Sequence, residues 1–134
     1  MCEKLREYIS DNEILFRYIK PQAIPVDQYE LNLSFFSDTD LSCDWKKYRP
    51  DPKTSFHIEE GNSWIVEINI CDEIRNPKDE NHNPLPLLHQ EIYHDPLTAE
   101  QDPIHGENYA HSLIQGKKKM LVQEAIRSHS KIIK

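Results

Sequence analysis

Residues 63–70, SWIVEINI, set Trp64, Val66, Ile68 and Ile70 on one face and Ser63, Ile65, Glu67 and Asn69 on the other, a period of two that predicts a strand. The same alternation in YELNLSFF, residues 29–36, predicts a second, half-buried strand. EILFRYIKP, residues 13–21, is an apolar run with branched and aromatic side chains that Pro21 terminates, and it reads as a strand or extended segment. LSCDW (41–45) is short and extended, LHQEIYH (88–94) is a strand stopped by Asp95-Pro96, and YAHSLI (109–114) is a strand broken by Gly116.

A different period marks the two ends. In EKLREYIS, residues 3–10, Leu5, Tyr8 and Ile9 fall at helical spacing. From Lys117 onward Leu121, Val122, Ala125, Ile126, His129, Ile132 and Ile133 recur at steps of three and four, which predicts an amphipathic helix starting just after Gly116. PKTSFHIEEG is expected to form a helical turn or two capped by Gly61. YRPDPK, residues 76–87 and residues 95–108 are loops by their proline and turn-former content. The expected architecture is a single small α+β domain over residues 1–134, with about five short, mostly antiparallel strands and a helix at each end.

Composition adds that a folded core is attainable. With 134 residues, 37% apolar and 29% charged, the chain reads as globular and as one domain. The formal charge of −7 argues against indiscriminate binding to polyanions. That charge is unevenly placed: residues 116–134 carry six basic side chains against Glu124 alone. A basic segment on an acidic body suits a polyanionic ligand, a partner protein or the body itself. Cys2, Cys43 and Cys71 form no Cys-x-x-Cys pair, which fits a reducing cytoplasm. The opening residues lack a signal-peptide core, and no window has the length of a membrane span, so a cytoplasmic location without membrane contact is expected.

The chemistry concentrates in HGENYAHSLIQGKKK, residues 105–119. Lysines at a helix start oppose the helix dipole by about 0.3–1 kcal/mol. A bound phosphate would offset that, which singles out Lys117 and Lys118. His111 is the side chain suited to moving a proton near neutral pH, with Lys117 to stabilise charge on a phosphate. On a regular strand His111 and Ser112 point to opposite faces. Arg17 sits inside the apolar run ILFRYI, where a charge needs a partner or an exit to solvent, and Asp44 is the expected partner, so that the pair is structural or places the guanidinium at a ligand phosphate. His89, His94, His105 and His111 have spacings that match no familiar ligand pair, so no metal or other cofactor is assigned.

LFRYIKP, LSFF, LSCDW and NYAHSLIQGK, in that order, resemble a group of small bacterial proteins without an assigned activity. That group has a Leu-Tyr-Arg-like opening, a Ser-x-Phe strand, a Leu-Ser-x-Asp stretch and a closing Asn-x-Ala-His segment followed by Gly-Lys. The resemblance implies that a shared site would fall on Arg17, Ser34, Ser42, Asp44, Asn108, His111 and Lys117. Phe16 stands here where the group often has tyrosine. The expected function is binding of a phosphate-bearing ligand (RNA, a nucleotide or a dinucleotide), as in a toxin-like or defence-associated, metal-independent nuclease or transferase. In that reading His111, Lys117 and Arg17 are catalytic, and Ser34, Ser42, Asp44, Asn108, Ser112 and Lys118 bind substrate. The alternative is a non-catalytic interaction domain that meets a protein partner through the acidic face and the C-terminal helix.

Overall fold

A computed structural model describes residues 7–19, 33–54, 64–98 and 108–133. Among them six antiparallel strands form one sheet: β1 (Ile14–Ile19), β2 (Asp40–Trp45), β3 (Trp64–Asn69), β4 (Glu91–His94), β5 (His111–Gln115) and β6 (Ser130–Ile132). Their spatial order is β4-β5-β2-β1-β3-β6. The described residues also form two helices, α1 (Asp72–Arg75) and α2 (Met120–Ser128), and short 3₁₀ turns at Leu33–Phe36, Pro52–Thr54 and Pro86–Leu88.

Paired residues of an antiparallel ladder project to the same face, so the register assigns the core. Ile92, Ile114 and Leu41 stand in one row across β4, β5 and β2. Trp45, Leu15 and Ile68 stand in another across β2, β1 and β3. All six are buried, and Val122 and Ile126 of α2 join them with Phe36 and Ile74. Each fully buried side chain of this kind stabilises the fold by roughly 1.5–3 kcal/mol relative to its exposed state.

The connection from β5 to α2 is built around one glycine and one lysine. Gly116 adopts φ +152°, and a Cβ there would lie 2.7 Å from both Gln90 Nε2 and the His89 carbonyl. The Gly116 amide donates to the Thr39 carbonyl, and Gln90 Nε2 donates to the Lys117 carbonyl. Lys118 Nζ then turns inward and donates to the carbonyls of Thr39, Ile114 and Gly116 at 2.8–3.0 Å. Three carbonyl acceptors match the three hydrogens of an ammonium group.

Several expectations change. Among the described residues the strands number six, one of them unexpected: the apolar run after Lys117 is divided, α2 ends at Ser128, and Ser130–Ile132 pairs with β3 as β6. The helix begins at Met120 with Lys119 as its N-cap, so Lys117 and Lys118 lie ahead of it, outside the first turn. Leu33–Phe36 is a 3₁₀ turn instead of the end of a strand, and its Phe36 fills the core beneath α2. Residues 29–32 and 55–63 lie outside the described residues, as do residues 3–6 of the helix expected at the N-terminus. Tyr8, within that expected helix, forms an antiparallel bridge with Tyr93, so residues 7–10 lie along the β4 edge. Among the described residues no helix is long and apolar enough to cross a membrane.

Candidate functional site

On the face of the sheet opposite α2, one row of side chains runs across five strands: Lys131, Glu67, Phe16, Asp44 and His111. Its outer end is an ion pair, with Lys131 Nζ 3.7 Å from Glu67 Oε2. Its inner end places the carboxylate of Asp44 next to the imidazole of His111. Asp44 is 1% exposed, so its charge must be matched by neighbours.

Two residues supply the match. Asn108 Nδ2 donates to Asp44 Oδ1 at 2.9 Å, and Arg49 Nε lies 2.9 Å from Asp44 Oδ2. Arg49 also reaches Asn108 Oδ1 through Nη2 at 3.1 Å, which closes a three-membered ring of polar contacts. The Arg49–Asp44 approach is an ionic contact that lacks a well-directed hydrogen bond, so both atoms keep unused bonding capacity. Arg49 is therefore the main counter-ion of Asp44, in place of the Arg17 expected from the sequence.

His111 is held from behind. Its Nδ1 lies 2.9 Å from the Asp95 carbonyl and 3.4 Å from Asp95 Oδ2. A carbonyl only accepts, so Nδ1 carries the proton, and in the neutral ring Nε2 is the basic nitrogen. Backing by carbonyl and carboxylate together fixes tautomer and orientation, the arrangement that general-base histidines use. Asp95 is itself buried, and it stands just after β4, where the Asp-Pro step ends the strand.

Arg17 occupies a break in the sheet. β1 pairs with β3 at all six of its residues but with β2 at only two, Leu15↔Trp45 and Phe16↔Asp44. Past Phe16 the guanidinium bridges the diverging strands: Nη1 donates to the Ser42 carbonyl at 2.9 Å, and Nη2 meets Asp38 Oδ2 at 3.1 Å. The wedge so formed is a cleft of about 40 Å³ lined by Arg17, Tyr18, Ser42, Cys43, Asp44 and His111. Tyr18 is oriented by its hydroxyl, which donates to the Pro52 carbonyl at 2.9 Å. Cys43 is a free thiol whose pKa burial pushes up to about 12, so it stays protonated and unreactive.

Four residues singled out in the sequence thus share this cleft: Arg17, Ser42, Asp44 and His111. Asn108 supports Asp44 from beneath. Ser112 faces the other way, paired with Cys43 and His94 on the core face, and its hydroxyl donates to the Ala110 carbonyl. The side chain of Ser34 lies outside the described residues. Lys117 is exposed and lies beyond the far end of β5 from His111; the strand alone separates them by roughly 13 Å at about 3.3 Å per residue. Lys118 is spent on its three carbonyl acceptors, and burial lowers its pKa to about 8.

A second polar cluster holds the N-terminal segment. The Glu7 carboxylate accepts from the Tyr48 hydroxyl and from Lys47 Nζ at 2.9 Å, and these two bonds hold it below the usual carboxylate range. His94 is fully buried within contact of Trp45, Tyr48 and Tyr109, with ring centroids 5.5, 4.9 and 4.9 Å away. Its Nε2 donates to the Tyr109 carbonyl and its Nδ1 lies 3.5 Å from Glu7 Oε2. His94 is thus an aromatic-boxed structural residue. A wider groove of about 500 Å³ runs between α1 and α2, with Asp72, Glu73, Asp79 and Glu124 among its lining residues. Among the described residues no three His, Cys, Asp or Glu side chains gather as metal ligands.

Arg49, Asp95, Asp38 and Tyr18 escape a reading of the sequence. Arg49 and Asp95 each adjoin a proline, in YRPDP and HDP, which disguises them as loop punctuation. No protein-family model, curated protein or solved structure matches the chain.

Proposed function

We propose that the wedge between β1 and β2 is the ligand site, and that it receives the anionic end group of a phosphate-bearing ligand whose body stays outside. The observation that carries this reading is the convergence of Arg17, Ser42, Asp44 and His111 on one cleft, with Nδ1 of His111 anchored on Asp95. A space of about 40 Å³ admits an end group but not a nucleotide, for which sites of roughly 300 Å³ or more are usual. Arg17 supplies the guanidinium, the exposed Ser42 a hydroxyl, and His111 Nε2 a group able to take or return a proton. On this reading a nuclease or transferase reaction would run through His111, and Lys117 would contact only the distal part of a long ligand such as RNA. The free thiols of Cys43 and Cys71 support placing the protein in a reducing cytoplasm.

The test is calorimetric titration of the full chain with a mononucleotide and with a short RNA, repeated on Arg17→Lys and His111→Gln. Binding that is lost or at least tenfold weaker in Arg17→Lys supports the site, and binding equal in all three proteins removes it.

The groove between α1 and α2 favours a second reading, an interaction domain for a basic protein segment. It is the roomier space, and four carboxylates line it against Lys78 and His82. Charge reversal of Glu124 and Asp72 would abolish such a complex, and the wedge variants would leave it intact.

A further inference from the structure

Asp38 stands where an incoming anion would stand. Its Oδ2 takes Nη2 of Arg17 at 3.1 Å, while Nη1 is committed to the Ser42 carbonyl. The third guanidinium nitrogen, Nε, is buried and has no partner. Nε and Nη2 form one edge of the guanidinium, the edge that binds carboxylates and phosphates in a two-pronged fashion. Asp38 thus fills one prong of a two-prong site, with a side chain that is itself 64% exposed.

We propose that Asp38 is a built-in competitor for the Arg17 edge, which a ligand's phosphate displaces, so that the site selects dianions over monoanions. This rests on the wedge being the ligand site. Asp38 is tethered close to Arg17, and every external anion meets the same cost in releasing it. An external carboxylate can also reach Nε, but it brings no more charge to Arg17 than Asp38 already provides. A phosphate monoester brings about −1.5 to −2 charges at neutral pH and three acceptor oxygens, enough to span Nη2 and Nε together. The release of Asp38 is local, because Ser37 and Asp38 lie between the Leu33–Phe36 turn and β2, outside regular structure. Thr39, the next residue, is fixed by the Gly116 amide and by Lys118, so the exchange leaves the end of β2 in place.

The test measures binding of inorganic phosphate and of acetate, at one ionic strength, to the full chain and to Asp38→Asn, Asp38→Glu and the double variant Asp38→Asn with Arg17→Met. Asp38→Asn is expected to bind phosphate about two- to fivefold more tightly, as expected for losing a partly exposed ion pair, and to make acetate binding measurable. Asp38→Glu, which keeps the competing carboxylate, is expected to bind as the unaltered protein does. Phosphate binding by the unaltered protein that Asp38→Asn leaves unchanged overturns the competitor role while the wedge stands. Tightening that persists in the double variant also overturns it, since net charge alone would then be the cause. Absence of phosphate binding from both the unaltered protein and Asp38→Asn overturns the role and the wedge together.

Discussion

Asp44 faces His111 across the β2–β5 ladder, and the two reach the same cleft although 67 positions separate them in the sequence. The carboxylate is buried and is matched by Arg49 and Asn108, so its neighbours carry the electrostatic cost of keeping a charge beside the imidazole. Replacing Arg49 by Met leaves the buried carboxylate short of its counter-ion. Urea unfolding is expected to show a loss of about 3–5 kcal/mol. The pair of changes Arg49→Met with Asp44→Asn is expected to recover most of it, because the uncompensated charge is gone. A double variant as unstable as Arg49→Met alone would show that Arg49 acts by packing.

Lys118 tests the connection between β5 and α2. Lys118→Met removes three hydrogen bonds to carbonyls, the one to Ile114 buried and those to Thr39 and Gly116 partly so, and a loss of roughly 1–3 kcal/mol is expected. The pH dependence has a definite sign. The folded-state pKa, about 8, is below the ordinary lysine value of 10.5, so between these limits the unfolded chain binds more protons. The Lys118 contribution to stability therefore rises as pH increases from about 8 to 10.5. Thermal melts across that range should show the unaltered protein gaining on Lys118→Met; a constant difference would contradict the burial of a charged ammonium.

Gly116→Ala probes the same corner through the backbone. The positive φ is strained for alanine, and the new methyl would press on Gln90 and on the His89 carbonyl at 2.7 Å. A loss above about 1 kcal/mol is expected in urea unfolding, with the sheet otherwise retained. Unchanged stability would mean that the corner adopts another path.

The Glu7 cluster sets an acid-side limit. Its carboxyl is held below the ordinary value first by the Tyr48 hydroxyl and next by Lys47, so its contribution is present above the ordinary carboxylate pKa and is lost as pH falls through the folded-state value. Tyr48→Phe removes the larger cause. The stability gap between the two proteins should close as pH is lowered below the carboxylate range, and a gap that stays constant would show that the Tyr48 hydroxyl acts independently of the Glu7 charge, since phenylalanine keeps the ring stacked on His94.

The parts of the fold that are legible in the sequence are those where period and burial coincide. SWIVEINI, LSCDW and YAHSLI contain or overlap β3, β2 and β5, because alternation there reflects one face turned to α2. YELNLSFF alternates too, yet its last four residues form a 3₁₀ turn: Phe36 reaches the core beneath α2 without a strand to carry it. The closing helix is shorter than its period predicts. Ile132 and Ile133 continue that period, although His129 caps the helix and the ladder to β3 claims Ser130–Ile132. For the cleft, Arg17 and His111 are visible as a charge in an apolar run and a histidine on a strand. The residues that hold them are not, since Asp38, Arg49 and Asp95 lie in turns whose spatial place depends on which strands pair. The lysine triplet misleads for a related reason: the chain bends at Gly116, which turns Lys118 inward and keeps all three ahead of the helix.

The most direct measurement is a titration of the protein, labelled with nitrogen-15, with inorganic phosphate, followed through its histidine ring and arginine Nε resonances. If the wedge is the ligand site, His111 Nε2 and Arg17 Nε shift together and saturably, while His89 and His129, bonded elsewhere to Asn76 and Glu73, stay in place. Shifts confined to the backbone of residues 117–119, or no saturable shift at His111 and Arg17, would contradict it.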